Sequence, residues 1–145
     1  MDATIKITGV PLDQITPQIQ KALDDALAGT LNLQQGELAK ANPKDSGRMA
    51  ASWNIGHNKP DLSVKPEGQQ SPEPDAYEGK ITFDGDWYIS NNLPYAMPVC
   101  ALGNYPASWR AGGHTPPTSI PENWFWNIAN QSNNVFDRQY DKVKP

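Results

Sequence analysis

Residues 80–91, Lys80-Ile81-Thr82-Phe83-Asp84-Gly85-Asp86-Trp87-Tyr88-Ile89-Ser90-Asn91, carry the reading on which the fold turns. Lys80 to Phe83 alternates polar with apolar side chains. Asp84-Gly85 is a hairpin dipeptide, and Trp87 to Ser90 resumes the alternation. This pattern predicts two antiparallel strands. Upstream, Ala3, Ile5 and Ile7 alternate with Thr4, Lys6 and Thr8, a half-buried strand closed by Gly9 and Pro11. Trp53-Asn54-Ile55 reads as the start of another, which brings the expected sheet to about four strands.

Between the first strand and Trp53 the period changes. Ile15, Ile19, Ala22, Leu23, Ala26, Leu27, Thr30 and Leu31 recur on one helical face, with Gln18, Lys21, Asp24 and Asp25 opposite. Asp13 or Thr16 can cap the start, Pro17 is tolerated in the first turn, and Asn42-Pro43 ends the helix. Gly29 and Gly36 each cost roughly 1 kcal/mol relative to alanine, so a kink or a break is expected near one of them. A final helix follows Ser119 and Pro121. Its apolar stripe of Trp124, Phe125, Ile128, Val135, Phe136, Tyr140 and Val143 is interrupted at 130–134. The expectation is one α+β domain over 1–145, with an antiparallel sheet against a long N-terminal helix and a C-terminal helix. Proline-rich stretches at 58–76 and 104–120 read as long surface loops.

The chain has 145 residues and a formal charge of −4, from 12 basic and 16 acidic side chains. Without clustered Lys and Arg it does not read as a nucleic-acid binder. The single cysteine, Cys100, cannot form an internal disulfide or a multi-cysteine zinc site, and its neighbours Val99, Ala101 and Leu102 make it a small hydrophobe. Met1 to Val10 lacks the layout of a signal peptide, and no apolar run approaches a membrane span. A reducing cytoplasm is the expected place of synthesis, and no membrane partner is expected.

Two strings stand out. Pro43-Lys44-Asp45-Ser46-Gly47-Arg48-Met49-Ala50-Ala51-Ser52-Trp53 reads as a turn launching a short helix. Asp45 or Ser46 can accept from free amides, Gly47 supplies an angle other residues resist, and Trp53 anchors the segment in the core. Arg48 is either part of that local structure or a contact to another subunit. Asn91-Asn92-Leu93-Pro94-Tyr95-Ala96 reads as a strand end that turns a corner into a helix, with Asn side chains satisfying backbone groups.

Together, in this order, the two strings resemble the head–tail joining and tail-completion proteins of tailed bacteriophages. The resemblance spans roughly residues 13–103, including a variable insertion. Gly47, Arg48, Ser52, Trp53, Asn92, Pro94, Tyr95 and Ala96 match the pattern; Ala101-Leu102-Gly103 departs from it, because many relatives place an acidic residue two positions before that glycine. The resemblance implies a virion structural protein at the head–tail junction, made in the host cytoplasm. It implies self-association into a ring, commonly a hexamer, between a connector or stopper and the tail tube. DNA would be passing cargo only.

No enzyme motif competes. His57 and His114 lie in no metal-binding pattern, Ser52 lacks a nucleophile-elbow sequence, and Gly112-Gly113 is no phosphate loop. No cofactor or metal is expected. The alternative class is a binding module for carbohydrate or peptide, suggested by five tryptophans and five tyrosines. Trp53, Trp87 and Trp124 read as core. Trp124 and Trp126 cannot share a helix face, so one should be exposed, and Trp109 joins Trp126 as a candidate interface aromatic.

Overall fold

A computed structural model describes residues 2–8, 16–42, 47–68, 71–101 and 123–145. Its elements are β1 (Ala3–Thr8), α1 (Pro17–Ala41), α2 (Arg48–Ala51), β2 (Asn54–His57), β3 (Asp86–Asn91), α3 (Ala96–Ala101), α4 (Trp124–Ala129) and α5 (Ser132–Val143). The class is α+β. Among the described residues the sheet has three strands in the order β1-β3-β2, all antiparallel, where about four were expected.

The missing strand is Lys80–Phe83. Its alternation is genuine, since Ile81 and Phe83 pack against the core, but its backbone groups are engaged elsewhere. Phe83 N donates to Asp24 Oδ1 of α1 at 2.6 Å. Asp84 N donates to Thr82 O at 2.9 Å, and the Trp87 indole donates to the carbonyls of Thr82 at 2.9 Å and Asp84 at 3.1 Å. A ladder needs those same groups, so the hairpin dipeptide turns the chain without a strand before it.

α1 runs as one continuous helix through Gly29 and Gly36, so the expected break near one of them does not form. Thr16 caps it, accepting from Ile19 N at 3.4 Å, and it ends before Asn42 as read. Its continuity comes from packing. Ala22, Ala26, Leu27, Leu31 and Leu38 are buried along one face, and α5 lies antiparallel along it, with Gln34 beside Ser132 and Gly29 beside Gln139. Buried Gln34 donates to Ile128 O at 3.0 Å and to Ser132 Oγ at 2.9 Å, holding the break between α4 and α5.

The core lies between α1 and one face of the sheet. Ile5, Ile89 and Ile55 form a row across the three strands. Trp53 stacks on Phe125 at 5.9 Å and meets Trp124 edge-on at 6.5 Å. Trp53, Trp87 and Trp124 are buried, whereas Trp126 is 46% exposed, so the pair two apart on α4 divides as its spacing requires. The opposite face of the sheet carries the polar row Thr4, Ser90 and Asn54, and beside it Lys6, Tyr88 and Gly56. No helix among the described residues is long and apolar enough to cross a membrane.

Candidate functional site: a clamp on residues 61–65

The first string folds as a turn into α2. Gly47 precedes the helix at φ +94°, a left-handed angle that strains side-chain-bearing residues. Met49, Ala50 and Ala51 are buried, and the small alanines let α2 approach α1 closely. Trp53 lies wholly in the core with its indole donating to Asn42 Oδ1 at 2.9 Å, so the residue that ends α1 receives the polar edge of the anchor. Asp45 lies outside the described residues, as do Trp109 and the stretch 104–120.

The second string meets the first in space. Buried Asn91, the last residue of β3, donates through Nδ2 to Met49 O at 2.8 Å and accepts from Leu93 N at 3.3 Å. One amide thus fixes both the corner and α2. Ala96 is buried, its N–H donating to Leu93 O at 2.9 Å, and half-buried Tyr95 packs against the core while its carbonyl accepts from Val99 N at 3.1 Å. Pro94 is exposed on the outside of the turn.

Three of the resemblance residues share a task that their types alone did not reveal. Arg48 Nε donates to Lys65 O at 2.7 Å. Ser52 Oγ accepts from Lys65 N at 3.0 Å and donates to Arg48 O at 2.7 Å. Asn92 Nδ2 donates to Leu62 O at 3.3 Å. Neighbouring polar residues extend the set: Asn54 Nδ2 donates to Ser63 O at 2.6 Å, and buried Ser90 Oγ donates to Asp61 O at 3.0 Å. Apart from the Ser52–Arg48 bond, each of these ends on a main-chain atom of residues 61–65. The segment therefore lies pinned across the polar side of the sheet beside α2, although it forms no strand.

Gly56 makes that close approach possible. A Cβ there would stand 2.8 Å from Asp61 N and nearer still to Lys59 O, both backbone atoms that cannot swing aside. Asn58, at φ +64°, turns the chain out of β2 toward the clamp. The pinned segment presents Leu62 and Val64 outward, 50% and 41% exposed. The loop read as beginning at residue 58 is thus held in place over this part of its length.

The electrostatics are mild. Lys65 Nζ pairs with Asp75, tying the clamped segment to the stretch that returns along α1. Gln35, buried on α1, donates to Trp53 O at 2.9 Å and to Asp75 O at 3.0 Å, joining that stretch to the end of the first string. Asp86 is held below the usual carboxylate range, first because Thr8 Oγ1 donates to it at 2.8 Å and next because Lys6 lies 3.2 Å away. His57 stacks on Trp87 at 4.0 Å, with Nε2 3.0 Å from Asp84 O. It shares the core face of the sheet with Trp87. No cluster of three or more His, Cys, Asp or Glu side chains among the described residues could hold a metal ion.

The sequence pointed to the Asn91-Asn92 pair as satisfying backbone groups at the strand end, and Asn91 does so, whereas nothing in it marked Gln35, the Asn42 side chain or Ser90, which carry the other buried polar bonds. No family model, curated protein or solved structure matches the chain.

Proposed function

We propose that this protein is a non-enzymatic structural subunit of a phage neck, forming a ring that completes the tail or joins it to the head connector. One observation carries the reading. Arg48, Ser52 and Asn92, which belong to the two strings of the resemblance, converge on residues 61–65 and hold them as a shaped surface. Their polar groups are engaged with main chain and are not arranged around a reacting atom. The Ser52 hydroxyl has both a donor and an acceptor partner within the fold.

The clamped segment is the docking element in this reading. Leu62 and Val64 face outward from a backbone that is already ordered, so contact with a neighbouring subunit costs little further ordering. A formal charge of −4 suits a wall that DNA must pass without sticking.

Light scattering on the purified chain, followed by low-resolution imaging of particles that contain it, tests the proposal. A ring, free or within a neck, is the expected result. A strict monomer absent from every particle overturns it and turns attention to Trp126 and a carbohydrate or peptide ligand.

A further inference from the structure

The strand order leaves β2 at an edge of the sheet. Asn58 N donates to Asp86 O at 2.7 Å, which sets the phase of the β2–β3 ladder. Asn54 and Gly56 therefore turn their main-chain groups toward β3, while Ile55 and His57 turn theirs away from it. No main chain of a described residue pairs with Ile55 or His57 from that outer side. Ile55 is nevertheless only 4% exposed, and buried backbone groups ordinarily have partners.

Two clefts lie along this edge. One, of about 470 Å³, is lined by Asn54, Ile55, Ser63, Lys65 and Asp75 among others. The second, of about 510 Å³, is lined by Ile55, His57, Lys59 and Leu62 among others. They share Ile55, Asp61 and Tyr77, so they form one trough along β2. The clamped segment makes one wall, and residues 75–79 make the other. The carboxylates of Asp61, Asp75 and Glu78 stand on these walls, and Lys65 is already paired with Asp75.

We propose that the open edge of β2 and its trough are a docking site for an extended, lysine- or arginine-bearing segment of a partner protein, added as a fourth strand. Main-chain bonds to Ile55 and His57 supply the attachment, as in other cases of strand addition. The wall carboxylates select a basic segment, which competes with Lys65 for Asp75. The inference rests on the sheet edge and goes beyond the neck reading, because it holds for the free subunit as well as for a ring.

The test uses the whole chain and two capped peptides, one alternating lysine with valine and one alternating glutamate with valine. Amide exchange at Ile55 and His57 is followed by NMR, beside binding to wild type and to Ala76→Trp. Ala76 is exposed and lines the trough, so the indole fills it without entering the core. The basic peptide should slow exchange at both amides by about tenfold or more, and Ala76→Trp should weaken binding by about tenfold with thermal unfolding unchanged. Raising salt from about 0.05 M to about 0.5 M should weaken it several-fold. Equal protection by the acidic peptide, no protection by the basic one, or undiminished binding to Ala76→Trp overturns the proposal. So does protection of both amides in the protein alone at the mass of a dimer, which would make the occupant a second copy. A ring seen in particles alongside any of these failures leaves the neck reading standing.

Discussion

Asn91 and Asn92 are adjacent, chemically identical and unequal in consequence. Asn91 is buried, and its amide is the bond between the two strings; Asn92 is exposed and holds one carbonyl of a surface segment. Replacing Asn91 by alanine takes the acceptor from buried Leu93 N and leaves Met49 O with Ser52 N alone, and should cost about 1–3 kcal/mol. Asn92→Ala should stay within about 0.5 kcal/mol, as surface changes usually do. Denaturant unfolding of the two variants measures the difference, and equal losses would contradict the assignment. Trp53→Ala removes a buried ring packed on Trp124 and Phe125 and should cost about 3–5 kcal/mol. Trp124 presents the contrasting case: its Nε1 is buried with no hydrogen-bond partner among the described residues, so Trp124→Phe removes a donor that no acceptor there misses. The core roles of Trp53, Trp87 and Trp124 were legible in the sequence, because aromatic size and spacing determine burial. Of the buried amides only Asn91, at the strand end, was legible; Gln34, Gln35 and Asn42 were not, since whether an Asn or Gln enters a core depends on partners distant in the chain.

At the scale of elements, β1, α1 and the division of Trp124 from Trp126 follow from periodicity alone. The expected strand at 80–83 and the expected break in α1 did not form, and both failures have one origin. Local pattern states what a segment can do, whereas partners brought by tertiary contact determine what it does. Asp24 and Trp87 take the backbone of 82–84, and α5 packed along α1 outweighs the cost of two glycines. The β1–β3 pair gives a pH prediction. Asp86 titrates below its ordinary range in the folded state, so its contribution is present above that range and is lost as pH falls through the depressed value. Thr8→Val removes the leading cause and should move the Asp86 titration upward, as followed by NMR of its carboxyl. An unmoved titration would shift the cause to Lys6. The clamp is likewise testable as an element: Arg48→Ala or Gly56→Ala should speed amide exchange across 61–65 while β1 and β3 remain protected, whereas uniform exchange would make the segment inseparable from the core.

For the whole molecule, the layering separates stability from display. The long helix α1 and the buried tryptophans lie on one side of the sheet, and a polar face with a pinned surface segment lies on the other. Leu62→Ser with Val64→Ser alters only the displayed side chains. In the neck reading it should lower the yield of complete particles while leaving thermal unfolding of the free chain unchanged. Normal particle yield from that double variant would remove 61–65 as the docking element without touching the fold.

The clamp's bonds end on carbonyls and amides, groups that every amino acid except proline supplies alike. The path of residues 61–65 is consequently almost independent of which residues occupy it. Over evolutionary time the outward positions can be rewritten to suit a changing partner, while Arg48, Ser52, Asn54, Ser90 and Asn92 stay constrained. Relatives of this protein should then differ most where their backbones coincide best, and the five holding residues are the better guide for recognising them.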